Sequence, residues 1–453
     1  MAASSAARRV AFCALGCRVG RSDLEALAAA LGPRFTRVAP GESADWVVVS
    51  ACAVTADAAS ASRQAVRRAG REHPRARIVV AGCQAQGDAE ALAALPGVAA
   101  VVGARDHAAL PGVVARLEAG EDGREAVSAA RAAAPSWTSA PAAGAGPARP
   151  VLKVQDGCDG RCSYCAVPAA RGRSRSLPFD EALRRIASLG SGRAEVVLSG
   201  IHLGAYGRDL VPPSSLRDLL DGAAARRAVR RIRLSSVDPS ELPLELLSEA
   251  GGAILCRHLH LPLQSGSDAV LAAMRRPLGA AAFARVVEAA ARAWPGVCLG
   301  ADVMAGFPGE TGADHGRTIS LLRSLPLAYL HVFAFSPRAG TPAAALPGRP
   351  PPGAVRDRAE ELREFSRARW DGFLEDQVGR VAEVVVERVG RAQGEPFALG
   401  TSSEYAPVRF PSERARRGAL ARVRVVAARD GLCIGAEEGA PGRARHPAAL
   451  ADP

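Results

Sequence analysis

The chain has 453 residues, enough for two to four domains that each bury a core. Its formal net charge of +12, almost all of it arginine because Lys153 is the only lysine, points to a polyanionic partner such as nucleic acid. Aromatics make up only 4%, which argues against a surface that reads single strands by stacking, and no apolar run would span a bilayer. Ala7-Arg8-Arg9 interrupts any signal-peptide pattern, so a cytoplasmic protein without membrane contact is expected, and its ten cysteines read as metal ligands rather than disulfides.

The first unit, 1–119, alternates short apolar runs with helix-patterned ones. Strands are predicted at 9–14, 46–50, 78–81 and 99–102, and helices from the cap-like Ser22-Asp23-Leu24-Glu25 through Leu31, from near Thr55 to before Pro74, near Asp88, and up to Gly120. This β-α repeat predicts an open parallel sheet with right-handed crossovers. Cys17, Cys52 and Cys83 each fall at or just past the carboxyl end of a successive strand. Those loops face one sheet edge, where ligands bind, so three distant thiolates are expected to converge with one coordination position open. Chance placement is the competing reading, and Cys13, inside the first strand, is read as packing.

Residues 120–149, rich in Ala, Pro, Gly and Ser, read as a linker. The unit at 150–376 carries six strand-like runs, 151–155, 194–199, 230–235, 258–263, 297–305 and 328–335, which suit an incomplete (β/α)6 barrel with its site at the carboxyl face. At that face Cys158-Asp159-Gly160-Arg161-Cys162-Ser163-Tyr164-Cys165 gathers three soft ligands in one loop. Three thiolates leave one iron of a cubane cluster open; structural zinc would need a fourth ligand, and no second pair follows. Gly- and Ser-bearing loops around Gly200, Ser235, Gln264 and Gly306 share this face and are candidates for cofactor contact, with ordinary turn chemistry as the alternative. Arg171-Gly172-Arg173-Ser174-Arg175 offers guanidinium forks for a carboxylate or phosphate, or else a solvated loop, while His258 and His260 share one strand face as barrel-interior polar groups.

An amphipathic helix over 355–377 presents Leu362, Phe365, Trp370 and Phe373. Strands at 381–386, 405–410 and 421–426 then predict a small all-β barrel over 377–440, followed by a tail at 441–453. Arg414, Arg416, Arg417, Arg422 and Arg424 make its last part basic, as an oligonucleotide-binding barrel would be; a plain capping barrel is the alternative.

Taken together, these segments resemble the radical S-adenosylmethionine (SAM) methylthiotransferases over nearly the whole chain. Ala14-Leu15-Gly16-Cys17, Ser50-Ala51-Cys52-Ala53-Val54-Thr55 and Ala81-Gly82-Cys83-Gln84-Ala85-Gln86 look like that family's three N-terminal cysteine motifs, and Cys158 to Cys165 with the trailing Arg-Gly-Arg-Ser-Arg like its radical SAM loop. The C-terminal barrel resembles the family's RNA-contacting TRAM domain. Wording such as His258-Leu259-His260-Leu261-Pro262-Leu263-Gln264-Ser265-Gly266-Ser267 is most similar to the branch that methylthiolates carbon 2 of threonylcarbamoyladenosine beside the anticodon. The resemblance implies two 4Fe-4S clusters, one on Cys158, Cys162 and Cys165 that chelates and reductively cleaves SAM, and an auxiliary one on Cys17, Cys52 and Cys83 that presents the sulfur a second SAM methylates. It further implies a tRNA anticodon stem-loop as partner and an electron donor such as flavodoxin or ferredoxin. Gly20 and Ala51 stand where the family usually has Asn, which leaves every ligand in place but changes the surroundings of the auxiliary cluster. Alternatives are methylthiolation of a ribosomal-protein aspartate or of isopentenyladenosine, and a non-catalytic iron–sulfur RNA-binding protein.

Overall fold

A computed structural model describes residues 7–39, 41–133, 137, 146–248 and 253–438; the predicted tail at 441–453 and much of the predicted linker lie outside them. Five strands, β1 (Arg8–Ala14), β2 (Phe35–Arg37), β3 (Trp46–Ala51), β4 (Arg77–Gly82) and β5 (Val98–Gly103), form one all-parallel sheet in the order β2-β1-β3-β4-β5. Trp46-Val47-Val48-Val49 and Ile78-Val79-Val80 are buried without alternation, as strands covered on both faces must be. β2 escaped prediction because Phe-Thr-Arg is short and mostly exposed, without a period to detect.

Helix α1 (Arg18–Leu31) begins earlier than Ser22 suggested, with Cys17 itself in the N-cap position. Ser22 instead bonds the Val151 carbonyl, and Asp23 joins an internal ion cluster, so these polar residues look inward rather than capping a terminus. Helix α2 (Ala56–Glu72) starts where expected, its first turn closed by the Thr55 hydroxyl accepting from the Ala58 N–H. The stretch read as a linker opens with a helix, Gly123–Ala132, whose Ala126 and Ala130 enter the same core as Leu110, Val113 and Leu117. Small residues four apart hid that apolar stripe in what looked like low-complexity sequence.

The central unit holds β6 (Val151–Lys153), a two-stranded hairpin of β7 (Gln155–Asp156) with β8 (Arg175–Ser176), then β9 (Glu195–Ser199), β10 (Arg231–Leu234), β11 (His258–His260), β12 (Cys298–Ala305) and β13 (Tyr329–Ala334). Apart from the hairpin these strands form two parallel sheets, β10-β9-β6 and β11-β12-β13, linked by a parallel bridge between Ile232 and Leu255. One apolar cluster runs through both, from Leu152 and Ile186 to Leu299 and Leu362. The helix Pro352–Glu375 lies against β13 and carries Leu362 and Leu374 into two different cores.

The last unit is a closed barrel of β14 (Val381–Ala392), β15 (Glu395–Ser402), β16 (Pro407–Pro411), β18 (Leu432–Glu437) and β17 (Leu420–Arg429), in that order. β15 and β18 were not anticipated: Gly400 and Gly435 interrupt their patterns where neighbouring backbone comes too close for a side chain. Arg414, Arg416 and Arg417 are exposed, whereas Arg422 and Arg424 both pair with Glu438.

The barrel docks on the amino ends of β9 and β10 through two buried guanidiniums. Arg231 donates to the carbonyls of Glu383 and Thr401, and Arg233 to those of Ser402 and Ser403. Glu195 binds both arginines at 2.8 Å. Burial alone would raise the Glu195 carboxyl, but Arg233 first and Arg231 next outweigh it and hold the pKa down to about 2. Its folded value lies below the ordinary 4.5, so its stabilisation is present above that pH and is lost as the pH falls toward 2. Glu195→Gln, which leaves Arg233 buried without a counter-charge, is expected to cost about 3–5 kcal/mol and to flatten this acid limb, both read from urea midpoints against pH.

Candidate active site

The order β2-β1-β3-β4-β5 reverses direction between β1 and β3, and in such sheets ligands bind outside the carboxyl ends at that switch point. Cys17 follows β1 and Cys52 follows β3, one on each side of it, and Cys83 follows β4. Two glycines let these ends close up. Gly16 has φ +90° and a Cβ there would lie 2.7 Å from the Cys52 side chain; Gly82 has φ +118° and a Cβ would lie 2.5 Å from the Ala51 carbonyl. The Cys52 N–H is anchored on the Ser62 hydroxyl of α2 at 3.0 Å. Cys13 instead lies within β1 opposite Val49 and packs against the core between the sheet and α2.

The second trio sits on a loop fixed at its centre. Ser163 is buried, its N–H donates to the Met274 carbonyl at 2.9 Å and its hydroxyl to the Ala273 carbonyl at 2.7 Å. Tyr164 packs beside Val270, Met274 and Phe307. Cys158 accepts from the Gly160 N–H at 3.2 Å and meets the His202 Nδ1 at 3.6 Å. His202 is a residue the sequence reading did not single out. Its hydrogen bond to Cys158, then that to Glu241 at 2.7 Å, push its pKa up to about 10. Only its position just after a strand end could have marked it.

The two trios come near one another. Desolvation raises the Cys83 thiol, and the charges of Cys17 and Cys52 add to that; desolvation likewise raises Cys165 to about 11, with Cys162, Cys158 and Cys83 of the other trio adding to it. Beside Cys83 lies Arg171, 4% exposed, its Nε 3.2 Å from the Cys83 sulfur and its Nη1 2.9 Å from Asp156. Asp156 and Asp23 both bind Lys153, and His107 meets Asp23 at 2.7 Å. Arg171 thus belongs to an internal ion cluster and does not project as a fork for an external anion. Arg173 is exposed beside Asp159, and Arg175 reaches Asp156 at 3.5 Å.

Gly200, Ser235 and Gly306 directly follow β9, β10 and β12, and Gln264 lies in the loop after β11. Gly200 and Gly306 owe their size to protein contacts, since a Cβ would meet Gln155 at 2.9 Å and Val355 at 2.5 Å respectively. Ser235 keeps a buried hydroxyl without a partner among the described residues, and Gln264 adopts φ +81° at 8% exposure. The Ser235 hydroxyl is thus a buried polar group that its protein neighbours do not satisfy.

The donor sets suit multi-iron clusters. Neither trio draws its sulfurs within 4.8 Å of one another, a spacing that among the described residues only His260, Asp302 and His331 meet. A single zinc ion, bound at about 2.3 Å to each sulfur, needs them closer than that, whereas a cluster attaches its thiolates to separate irons. Burial that favours neutral thiols makes bound metal the natural counter-charge for their deprotonation.

A family model described as the Radical SAM superfamily matches residues 152–322, and one described as uncharacterized protein family UPF0004 matches residues 9–103. The central unit therefore defines a radical SAM enzyme, which implies a 4Fe-4S cluster and SAM. Threonylcarbamoyladenosine tRNA methylthiotransferase MtaB of Bacillus subtilis is 31% identical, covering 92% of this chain and 94% of its own. A tRNA-2-methylthio-N(6)-dimethylallyladenosine synthase of Cereibacter sphaeroides is 33% identical, covering 96% and 100%. The chain belongs to the radical SAM methylthiotransferase family. Among solved structures, the radical SAM methyltransferase TsrM from Kitasatospora setae shares the fold with a TM-score of 0.57, at 15% identity over 75% of this chain and 77% of that one. No helix among the described residues is long and apolar enough to cross a membrane.

Proposed function

We propose that the protein methylthiolates carbon 2 of N6-threonylcarbamoyladenosine beside the anticodon of tRNA, using SAM as radical source and methyl donor. The observation that carries this reading is the pair of neighbouring thiol trios, joined by Arg171, which follows the Cys158–Cys165 loop and places its Nε 3.2 Å from the Cys83 sulfur. Cys158, Cys162 and Cys165 hold one 4Fe-4S cluster and Cys17, Cys52 and Cys83 the other. When bound, these clusters with SAM supply a carbon radical and a transferable sulfur, chemistry that no side chain here provides.

The chain's own part is positioning. Ser163 and Tyr164 hold the cysteine loop, and Gly16 and Gly82 let the auxiliary thiols converge. Ser235 and Gln264, with the backbone at Gly200 and Gly306, line the SAM side of the mouth. The six parallel strands act as a (β/α)6 barrel, and the closed C-terminal barrel, with exposed Arg414, Arg416 and Arg417, acts as a TRAM domain gripping the tRNA backbone. Electrons arrive from a flavodoxin- or ferredoxin-like donor in the cytoplasm.

Mass spectrometry of tRNA nucleosides from a deletion strain tests the substrate. The expected result is loss of 2-methylthio-N6-threonylcarbamoyladenosine with its precursor accumulating. Retention of that nucleoside, with no second gene copy, overturns the proposal. Loss of the methylthio-isopentenyl nucleoside instead would favour the reading that the relatives at 33% identity suggest.

A further inference from the structure

The inward faces of β11, β12 and β13 carry polar side chains that the thiol chemistry does not use. Register sets His260 opposite Gly300, Gly300 opposite Tyr329, and Asp302 opposite His331. Gly300 leaves room for the Tyr329 ring to lie across its strand, since a Cβ there would meet that ring at 2.2 Å. The Tyr329 hydroxyl sits between His258 Nε2 at 2.8 Å and His260 Nδ1 at 3.0 Å. His260 Nε2 continues the chain to Asp302 Oδ1 at 2.8 Å, and His331 Nδ1 reaches the same oxygen at 3.4 Å.

The two ends of this chain differ. His258, His260 and Tyr329 are buried, and Tyr405 of the C-terminal barrel stacks on His258 at 4.3 Å to close the floor. Arg18, next to Cys17, reaches the Tyr405 hydroxyl at 3.3 Å, which ties this floor to the auxiliary thiols. At the other end the side chains of Asp302 and His331 are 18% and 52% exposed. His331 also borders a groove of about 460 Å³ along β13 that Arg363 and Arg367 help to line. The imidazoles of His260 and His331 lie stacked at 4.5 Å, tilted by 30°, and both address one carboxylate oxygen, which suits hydrogen bonding more than convergence on an ion.

We propose that Asp302 and His331 form the subsite for the N6 substituent of the substrate base and select one bearing N–H, hydroxyl and carboxylate groups over an aliphatic one. This rests on the tRNA reading above. Asp302 accepts from a substituent N–H or O–H, and the half-exposed His331 imidazole meets the carboxylate. An isopentenyl group placed there would strip water from both residues and return no hydrogen bond, the situation in which polar sites reject apolar analogues most strongly.

The test is anisotropy of anticodon stem-loops carrying threonylcarbamoyladenosine, isopentenyladenosine or adenosine, bound to the anaerobically reconstituted full chain. The wild type is expected to bind the first about a hundredfold tighter than the second, and Asp302→Asn and His331→Ala each to cut that ratio about tenfold. Iron content reports that the variants have folded. If the wild type keeps its preference and both variants keep it too, the subsite is wrong while the substrate reading stands. If the wild type itself prefers the isopentenyl stem-loop, the substrate reading fails and the subsite with it.

Discussion

Replacing Cys17, Cys52 and Cys83 together by alanine is expected to leave a protein that, reconstituted anaerobically, binds about four irons instead of about eight, still cleaves SAM, and transfers no sulfur. The mirror variant, Cys158, Cys162 and Cys165 to alanine, is expected to hold about four irons and to cleave no SAM. The asymmetry follows from where the two trios are built. The first depends on three strand ends of the N-terminal sheet brought together at its switch point. The second depends on one loop pinned through Ser163 to the backbone of Ala273 and Met274. Neither anchor passes through the other, so emptying one site leaves the other's ligands where they were. Iron and sulfide analysis with EPR counts the clusters, and chromatography of 5′-deoxyadenosine follows SAM cleavage. A first variant that still carries about eight irons, or that still methylthiolates tRNA, would show that the auxiliary sulfur is held elsewhere.

What the sequence disclosed, and what it withheld, divides along physical lines. The positions of the six cysteines, three just past strand ends and three in one loop, were legible because such placement is unusual for residues that otherwise bury themselves singly. Among the six central strands, β9 and β12 were legible as largely continuous apolar runs, as buried parallel strands tend to be, and β10 and β11 as alternating ones, Arg231-Ile232-Arg233-Leu234 and His258-Leu259-His260. The helix Gly123–Ala132 was not, since alanine serves equally in a linker and in a close-packed helix face. Nor was the start of α1: Ser22 and Asp23 have the chemistry of a cap, and only tertiary structure shows that their partners are Val151 and Lys153. Arg171 was misjudged for the same reason. A run of arginines beside glycine looks solvated until Asp23, from the other unit, is found against it.

Arg171 gives the second large effect. Its guanidinium, with 2% of the side chain exposed, bonds Asp156 at 2.9 Å and lies 3.4 Å from Asp23, while its Nε donates to the Cys83 sulfur. Arg171→Met removes a charge from a buried cluster, leaving two carboxylates to share Lys153, His107 and the more distant Arg175. Breaking a buried pair from one side in this way costs about 3–5 kcal/mol, which a drop in the urea midpoint would register. Arg171→Lys keeps the charge but not the fork that serves a sulfur and a carboxylate at once, so a smaller loss is expected. The same contact reaches the metal chemistry. A donor and a positive charge at a thiolate stabilise the reduced form of the cluster it ligates, so either variant is expected to lower the potential of the cluster on Cys17, Cys52 and Cys83. Cys158, Cys162 and Cys165 receive no hydrogen bond from Arg171 among the described contacts, so the second potential is expected to stay in place. An EPR redox titration resolves the two, and equal shifts in both, or a shift only in the second, would mean that Arg171 acts on the fold as a whole rather than on the Cys83 sulfur.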